Sequence, residues 1–326
     1  MDLRQLRYFA VLAEQQHFGR ASSMLHLAPP ALSRQIRLLE EELGVRLFER
    51  HARGATPTPE ARFLEERTLF VLRYVEQLKH EMMARQKEPQ GPVTMGLSSG
   101  LAQVLAVPLT QAMAARYPRV RLKLHEAFAP ALHGSLLSGG LDLAVLIIPV
   151  PPADVTVLPL LEESICLIGR PADMPANNGR IRIKSLAGLP LVLTGLPKSG
   201  VRLEVEAAAV RAGVTLTPVV EVETMQVAKL LVSAGVGLTV HFATGVRQEI
   251  AAGKLVAVPI EKLALRRALV RSSVRPLLRA TEALIEILGD VVRAEVQEGR
   301  WPNAKLQLAD RAAPAGTAQR PLRPGA

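Results

Sequence analysis

The segment GLSSG at residues 96–100 could carry out nucleophilic chemistry. It fits the pattern G-x-S-x-G, in which a tight turn between a strand and a helix exposes a nucleophilic serine, here Ser98. In such hydrolases an acid and then a histidine follow the serine, and Asp142 or Asp154 with His241 supplies that order. A serine esterase is therefore one hypothesis for this chain.

The residues before GLSSG argue against catalysis. The hydrolase fold places further strands and an oxyanion loop ahead of the serine turn, whereas this chain predicts helices and a small hairpin there. The helix that should start near Leu101 offers free backbone amides and a partial positive charge, which favour a bound carboxylate or similar anion. We therefore interpret GLSSG as a ligand cradle, with Ser98 and Ser99 as binding groups.

Three short helices are predicted at the N-terminus. Apolar residues recur at three- and four-residue spacing through the first two helices. The segment LAPP ends the second helix, because proline lacks an amide donor and restricts the residue before it. A third helix follows and ends at Gly44. Its narrow apolar face consists of Leu32, Ile36, Leu39 and Leu43.

The third helix turns a polar face away from these apolar residues. That outward face holds Pro30, Arg34, Arg37 and Glu41, with Ser33 at its flank. Arginines on early helical turns suit the DNA major groove, where guanidinium groups pair with guanine edges or phosphates and the helix N-terminus favours an anion. The alternative is a solvated face on which Arg37 and Glu41 merely pair at i, i+4.

A short hairpin is predicted over VRLFERHARGATPT, directly after the third helix. Gly54 can take the positive φ of a tight turn, and the threonines and prolines after it oppose helix. Arg50, His51 and Arg53 lie near the tip, where they can reach backbone phosphates. Beside the third helix, this basic wing favours a winged helix-turn-helix over residues 1–58.

Composition excludes several classes of protein. No apolar run approaches the roughly 18 to 20 residues of a membrane span, and the start of the chain lacks the apolar region of a secretion signal, so we expect a cytoplasmic protein. The only cysteine, Cys166, lies in the apolar run SICLIG and predicts a buried inert thiol, with no internal disulfide and no zinc site built on thiolates. We expect no metal and no cofactor.

The formal net charge of +10 does not by itself identify a DNA-binding protein. Residues 1–58 contain eight arginines against six acidic residues, and much of the positive excess lies instead in residues 262–279. The placement of the arginines on the third helix and wing therefore carries the prediction.

Residues 59–88 predict one long helix that dimerises. The segment contains no Gly and no internal Pro, and its apolar positions alternate gaps of four and three, as in a coiled-coil seam. The seam consists of Leu64, Thr68, Val71, Val75, Leu78 and Met82. The alternative is an amphipathic helix packed on its own domain.

From residue 91 onward, short apolar or β-branched runs alternate with helical patterns. This alternation predicts an α/β domain with a largely parallel sheet, which binds ligands at the carboxyl ends of its strands. Residues 301–326 are rich in Ala and Pro, lack a core pattern from Ala304 on, and are predicted to be disordered.

The first fifty residues, the "RG…TPT" wing, the coiled-coil helix, GLDLAV and LLVSAGVGLTV together resemble the LysR-type transcriptional regulators, over about residues 1–295. The resemblance implies a winged helix-turn-helix, a linker helix and an effector-binding domain at 91–295 that looks like a periplasmic binding protein. Its two α/β subdomains, joined by crossover strands, would be about 91–161 with 267–295, and about 162–266.

The resemblance also implies partners. It predicts a non-enzymatic regulator that binds double-stranded promoter DNA, dimerises through residues 59–88, commonly forms tetramers, and responds to a small-molecule inducer, here an anionic one. RNA polymerase is a further partner that the resemblance allows. A solute-binding module without DNA function is a third hypothesis, which conflicts with residues 1–58 and with the missing secretion signal.

The ligand cleft implied by the resemblance lies at predicted strand ends. Its residues are Ser98, Ser99, Phe128, Thr194, Gly195 and His241. Alternatives remain open, since Phe128 could belong to the core and His241 could satisfy a backbone group. Lys198 is either a charge partner for an anionic ligand or a surface lysine.

Two departures from the family pattern stand out. Ala28 and Pro29 replace the small hydroxyl residue and Gln that usually precede the third helix, and losing a side-chain N-cap costs about 1 kcal/mol, partly offset by a proline at the first helical position. Ala61 stands where the family tends to have Gly. Without the Gln, the predicted base-reading residues are Ser33, Arg34 and Arg37.

Overall fold

The structure is a computed structural model in which residues 1–51, 54–83, 88–147, 154–176, 178–197 and 200–308 are described. The N-terminal part contains α1 (Leu3–Gln15), α2 (Phe18–Leu25), α3 (Pro29–Leu43), β1 (Phe48–His51), β2 (Gly54–Pro57) and α4 (Pro59–Met83). The strands β1 and β2 pair antiparallel, which confirms the predicted hairpin.

The helices α1 to α3 and the hairpin share one apolar core. Phe9 of α1 and Phe48 of β1 meet there with ring centroids 5.7 Å apart. The structure confirms that α3 begins at Pro29 and ends at Gly44, which takes φ 70°. Leu43, predicted on the apolar face of α3, is instead 37% exposed, because the helix ends immediately after it and its last turn projects past the core.

Helix α4 begins beside the hairpin. The Thr58 hydroxyl donates to the Arg46 carbonyl at 2.8 Å and accepts from the Ala61 amide at 3.2 Å, and Ala61 is fully buried. Of the predicted seam, Thr68 is buried within its own chain, whereas Leu78 and Met82 are exposed. The first part of the seam thus packs on its own domain and the distal part is open to solvent in this single chain.

The remaining elements form the α/β part of the chain. In order they are β3 (Gly91–Leu97), α5 (Ser99–Arg116), β4 (Val120–Glu126), α6 (Ala129–Ser138), β5 (Leu143–Ile147), β6 (Val155–Gly169), β7 (Leu191–Thr194), α7 (Gly200–Arg211), β8 (Pro218–Val222), α8 (Met225–Ser233), β9 (Thr239–Phe242), α9 (Arg247–Ala251), β10 (Val256–Ser272), α10 (Arg279–Gln297) and β11 (Ala304–Leu306). The main sheet has the order β11, β6, β10, β5, β3, β4, with β9 also paired to β6.

The long strands β6 and β10 cross between two apolar cores. They pair antiparallel along most of their length. Leu161 and Leu269 belong to a core with β3, α5 and α10, whereas Ile165 and Leu263 belong to a second core with β7 and β9. Because both strands contribute to both cores, side chains midway along them lie at the junction of the two halves of the domain.

The predicted disorder of residues 301–326 is wrong for residues 301–308. Trp301 is only 2% exposed and packs in the first core, and β11 pairs with β6 so that Ala304 lies opposite Glu163. The burial of a large indole and of alternate apolar side chains explains this order, which the Ala/Pro-rich context concealed. Residues 309–326 lie outside the described residues.

Candidate functional site

An open groove lies between the outward face of α3 and the wing, and we call it the α3 groove. Residues along it include Pro30, Ser33, Arg34, Arg37 and Arg50. The fold therefore brings together these residues predicted to contact DNA. Arg53, predicted with them, lies outside the described residues.

Arg50 is anchored to α3 and α2. Its Nη1 donates to Ser33 Oγ at 2.8 Å, and its guanidinium carbon lies 4.6 Å from the centroid of the Phe18 ring. The hydrogen bond and the cation–π contact together hold the wing arginine against the helices. The guanidinium is thus presented in a fixed orientation, as bidentate contact with a phosphate requires.

Arg37 forms the i, i+4 pair that was the alternative hypothesis for this helix face. Its Nε lies 3.4 Å from Glu41 Oε1, and the two side chains are 65% and 60% exposed. Exposed pairs of this kind contribute only about 0 to 1 kcal/mol. The pair is therefore compatible with a DNA-binding role, because Arg37 can exchange Glu41 for a stronger acceptor at small cost.

The first turn of α3 differs from the expectation that a helix N-terminus attracts an anion. Ala28 is the N-cap and provides no side-chain hydrogen bond, and the first two helical residues are prolines without amide protons. The amides of Ala31 and Leu32 both donate to the Ala28 carbonyl. The free amides of this turn are therefore used in hydrogen bonds within the helix. Any attraction of this face for DNA must come from the arginine side chains.

The first half of the predicted cleft lies at the ends of β3 and β4. Ser98 is the N-cap of α5 and forms no capping bond, whereas the Ser99 hydroxyl donates to the Glu126 carboxylate. Phe128 is the N-cap of α6 and is 43% exposed, so it is not a core residue. The turn therefore presents a serine hydroxyl, the start of α5 and an exposed aromatic ring.

The second half contains two buried polar atoms without hydrogen-bond partners among the described residues, Thr194 Oγ1 and His241 Nδ1. The strands β7 and β9, which contain Thr194 and His241, are neighbours joined by a parallel bridge between Leu191 and Leu238. Gly195 follows with φ 94°. Unpaired buried polar atoms are costly, so two on neighbouring strands indicate a place where a ligand or water supplies the missing bonds.

Burial, together with a smaller contribution from the positive charge of Arg267, lowers the pKa of His241 to about 4. His241 is therefore neutral at pH 7, and one of its ring nitrogens is a hydrogen-bond acceptor. At this pH it provides hydrogen bonding without adding a positive charge to the cleft.

A buried ion pair that the sequence did not reveal lies at the junction of the two halves. Glu163 of β6 is fully buried, and Arg267 of β10 is 4% exposed. Arg267 Nε donates to Glu163 Oε2 at 2.5 Å, and Thr244 Oγ1 donates to the other carboxylate oxygen at 2.7 Å. The Arg267 guanidinium also lies 4.2 Å from the Phe242 ring centroid. We refer to these strand-end and junction residues together as the effector cleft, after the ligand site that the sequence predicts there.

The esterase hypothesis is not supported. A catalytic triad requires an acid that holds one nitrogen of the histidine ring while the other faces the serine. His241 Nδ1 has no hydrogen-bond partner in the described part of the chain, and the Asp142 carboxylate accepts the Thr94 amide at 2.7 Å. A histidine with a pKa of about 4 is also a weak general base at neutral pH.

The described ranges contain neither a metal-binding cluster nor a membrane-spanning helix. No cluster of three or more His, Cys, Asp or Glu side chains in them could hold a metal ion. No helix in them combines the length and the apolar character needed to cross a bilayer. Lys198, considered above as a charge partner for a ligand, lies outside these ranges.

Comparison with known proteins identifies both parts of the chain. Residues 3–62 match the family described as "Bacterial regulatory helix-turn-helix protein, lysR family", and residues 86–293 match "LysR substrate binding domain". The HTH-type transcriptional regulator BbuR of Bordetella bronchiseptica is 31% identical over 306 residues, which cover 93% of each chain.

Solved structures of full-length proteins show the same architecture. A full-length OxyR variant from Pseudomonas aeruginosa superposes with a TM-score of 0.70 at 27% identity, covering 90% of this chain and 95% of that one. Full-length CbnR complexed with its target DNA has a TM-score of 0.66 at 19% identity, covering 89% and 100% of the two chains, which is a likeness of fold.

Proposed function

Because this chain belongs to the LysR family of transcriptional regulators, we propose that it binds promoter DNA through the α3 groove and responds to a small-molecule inducer in the effector cleft. The main observation in support of DNA binding is the convergence of Arg34, Arg37 and Arg50 on one exposed face. The family-level function follows from the matched domains, whereas the residues below are our assignment.

The two sides of the α3 groove contact different parts of the DNA, the bases and the phosphates. Arg34 and Arg37, on successive turns of α3, contact base edges in the major groove, with Pro30 and Ser33 beside them. Arg50, fixed by Ser33, contacts a phosphate, as does Arg53. The exposed distal seam residues of α4, Leu78 and Met82, are assigned to pairing with a second chain.

The inducer occupies the effector cleft between the two halves of the α/β domain. Ser98 and the start of α5 receive its anionic group, and Phe128 covers its apolar part. Ser99 lies beside them, and because its one hydroxyl proton is donated to Glu126 it contacts the anion only by exchanging that partner. Thr194 Oγ1 and His241 Nδ1 gain partners from its polar atoms, with Gly195 allowing close approach. Since Glu163 already neutralises Arg267, helix amides and hydroxyls rather than a free arginine select this ligand.

DNA binding and inducer response can be tested together by footprinting. The purified protein is placed on the DNA immediately upstream of its own coding sequence, with and without a panel of small carboxylates and aromatic acids. Two adjacent protected sites that shorten or shift with one compound are expected. Absence of protection at every moderate salt concentration would contradict the DNA half of the proposal, and the α/β domain would then stand as a binding module alone.

The regulator and the esterase hypotheses also differ in catalysis. The proposal expects no turnover of a generic ester by the wild-type chain, so Ser98→Ala has nothing to abolish and alters only the inducer response. RNA polymerase is proposed as a later partner of the DNA-bound oligomer, detectable by its recruitment to the same footprinted fragment.

A further inference from the structure

Helix α4 docks on the first half of the α/β domain through a compact contact, which we call the Phe70 dock and define as Phe70, Tyr74, Gly139 and Arg275. The rings of Phe70 and Tyr74 stack at 5.9 Å with an interplanar angle of 20°. The Arg275 guanidinium lies 4.3 Å from the Phe70 centroid and donates through Nη2 to the Leu137 carbonyl at 2.5 Å. One arginine thus joins the linker helix to the end of α6.

Gly139 allows Phe70 of α4 to approach the end of α6 closely, because glycine has no Cβ. It takes φ 89° as the residue that ends α6. A Cβ at this position would collide with the Phe70 side chain and lie 2.9 Å from Arg275 Nη2. Both the backbone conformation and the available space therefore suit glycine, and the aromatic ring of α4 lies directly against the end of α6.

Two elements run from the effector cleft to the Phe70 dock. Helix α6 begins after Phe128 in the cleft and ends at Gly139 in the dock, a distance of about 15 Å along a rigid helix. Strand β10 runs from Arg267 in the buried ion pair to Ser272, and Arg275 follows three residues later. Either element therefore provides a continuous structural connection between the cleft and the dock.

We propose that the Phe70 dock is the contact through which the effector cleft and the DNA-binding helices influence one another. This inference rests on the proposed function. Helix α4 follows directly after the wing of the DNA-binding domain. The dock is therefore the place where α6 and the residues after β10, which both lead from the cleft, contact the helix that joins the DNA-binding domain to the rest of the chain. Coupling between two sites is reciprocal, so an inducer that alters DNA affinity requires DNA to alter inducer affinity. If the dock carries this coupling, DNA binding must also alter α6.

This reciprocity allows a test without knowledge of the inducer. Hydrogen–deuterium exchange of the full chain is measured with and without duplex DNA from upstream of its own coding sequence. In the wild-type protein we expect DNA to change the exchange of peptides covering α6 and the end of β10. In Phe70→Ala this change should shrink by at least about twofold, the lower end of effects for residues that lie between coupled sites.

A matched control is available on the same helix. Phe63 of α4 is 61% exposed and lies under the guanidinium of Arg67, 3.5 Å from its ring centroid, without belonging to the dock. Phe63→Ala therefore removes a similar cation–π pair and should keep the DNA-induced change in α6. Arg275→Met is a second dock variant, which keeps the ring and removes the guanidinium, should Phe70→Ala unfold.

Each outcome decides between the proposals. Wild-type protein that binds the DNA without any change in α6 overturns the coupling role while leaving the proposed function intact. The coupling role is also overturned if both folded dock variants respond like the wild-type protein. Wild-type protein that does not bind the DNA contradicts the proposed function itself, and the coupling role is lost with it.

Discussion

The α3 groove and the effector cleft hold their charged side chains in opposite ways. Arg37 of the groove is 65% exposed and forms a loose pair with Glu41, which is 60% exposed. In the cleft, Arg267 is 4% exposed and its carboxylate partner is fully buried. The groove thus keeps its charges exchangeable, as the proposed attraction to a phosphate backbone requires, whereas the cleft holds its charged side chains buried and paired.

Breaking the buried pair tests this difference most severely. Glu163→Ala leaves the Arg267 guanidinium buried without its partner, and we expect a loss of about 3 to 5 kcal/mol in the free energy of unfolding, measured by urea denaturation. Glu41→Ala in the groove is the matched control, with an expected cost of about 0 to 1 kcal/mol. Similar losses for the two variants would mean that the contrast between the regions has no energetic basis.

The double variant Glu163→Leu with Arg267→Met separates charge from packing. It removes both charges and keeps apolar volume at the junction, so most of the stability lost in Glu163→Ala should return. If the double variant is as unstable as the single one, the pair stabilises the junction by geometry that apolar side chains cannot replace.

The neutral histidine of the cleft predicts a specific pH dependence. The pKa of His241 is lowered from 6.5 to about 4, so the unfolded chain takes up its proton first as the pH falls. The contribution of His241 to stability is therefore complete above pH 6.5 and is lost as the pH falls toward 4, by up to about 3 kcal/mol.

Denaturation curves recorded across this pH range check the effect. His241→Gln should flatten the part of the pH dependence between the two pKa values. His125→Gln, at an exposed position of β4, is the matched control and should retain the wild-type curve. An unchanged curve for His241→Gln would show that another group causes any acid sensitivity.

The exposed arginines should affect DNA binding and not stability. Arg34→Ala or Arg37→Ala is expected to weaken operator binding by about 1 to 3 kcal/mol, the range for an arginine that contacts a base. The free energy of unfolding should stay within about 0.5 kcal/mol of wild type. Binding is measured at one fixed salt concentration, and unchanged affinity in both variants would show that this face of α3 does not read bases.

Local periodicity was sufficient to predict the α3 groove. The helical spacing of Leu32, Ile36 and Leu39 determines which residues face outward, and the two arginines follow from it. Leu43 is the exception, since the pattern continues to the last residue of the helix and carries no information on where the core ends. Gly54, which suits a tight turn, and the threonines and prolines after it, which oppose helix, likewise identified the hairpin.

The buried pair of the cleft could not be predicted in the same way. Glu163 and Arg267 are 104 residues apart, and only the pairing of β6 with β10 brings them together. A signal existed, because a carboxylate inside an apolar strand such as LEESICLIG needs a buried partner. The sequence contains several arginines that could serve, and the long-range register alone selects one.

Trp301 was missed for a different reason. The alternation of Ala304, Leu306 and Leu308 is a strand pattern, but the run is short and lies beside an Ala/Pro-rich segment that dominates the composition. The strand β11 that lies in this run pairs with the edge of β6. That edge can be identified only when the order of the strands in the sheet is known.

The smallest predicted effect concerns the cysteine that borders the same junction. Cys166 is fully buried, and its burial, with a smaller contribution from the charge of Glu163, raises the pKa of the thiol to about 12. The chain has no second cysteine, so an internal disulfide cannot form. The thiolate is the reactive form of cysteine, so Cys166 should oxidise slowly. We therefore favour the proposed ligand binding over cysteine oxidation as the signal to which this domain responds.

We therefore expect millimolar peroxide to leave the DNA footprint unchanged, and an alkylating reagent to label Cys166 far more slowly in the native protein than in the urea-unfolded chain. Mass spectrometry of the Cys166 peptide follows the labelling and footprinting follows the DNA complex, with Cys166→Ser as the control for reaction elsewhere. Rapid native labelling, or a peroxide-shifted footprint that Cys166→Ser abolishes, would contradict the view that the charged pair and the thiol at this junction stay buried. Either result would mean that the junction opens often enough for the thiol to ionise, and the contrast with the solvated α3 groove would then be one of degree.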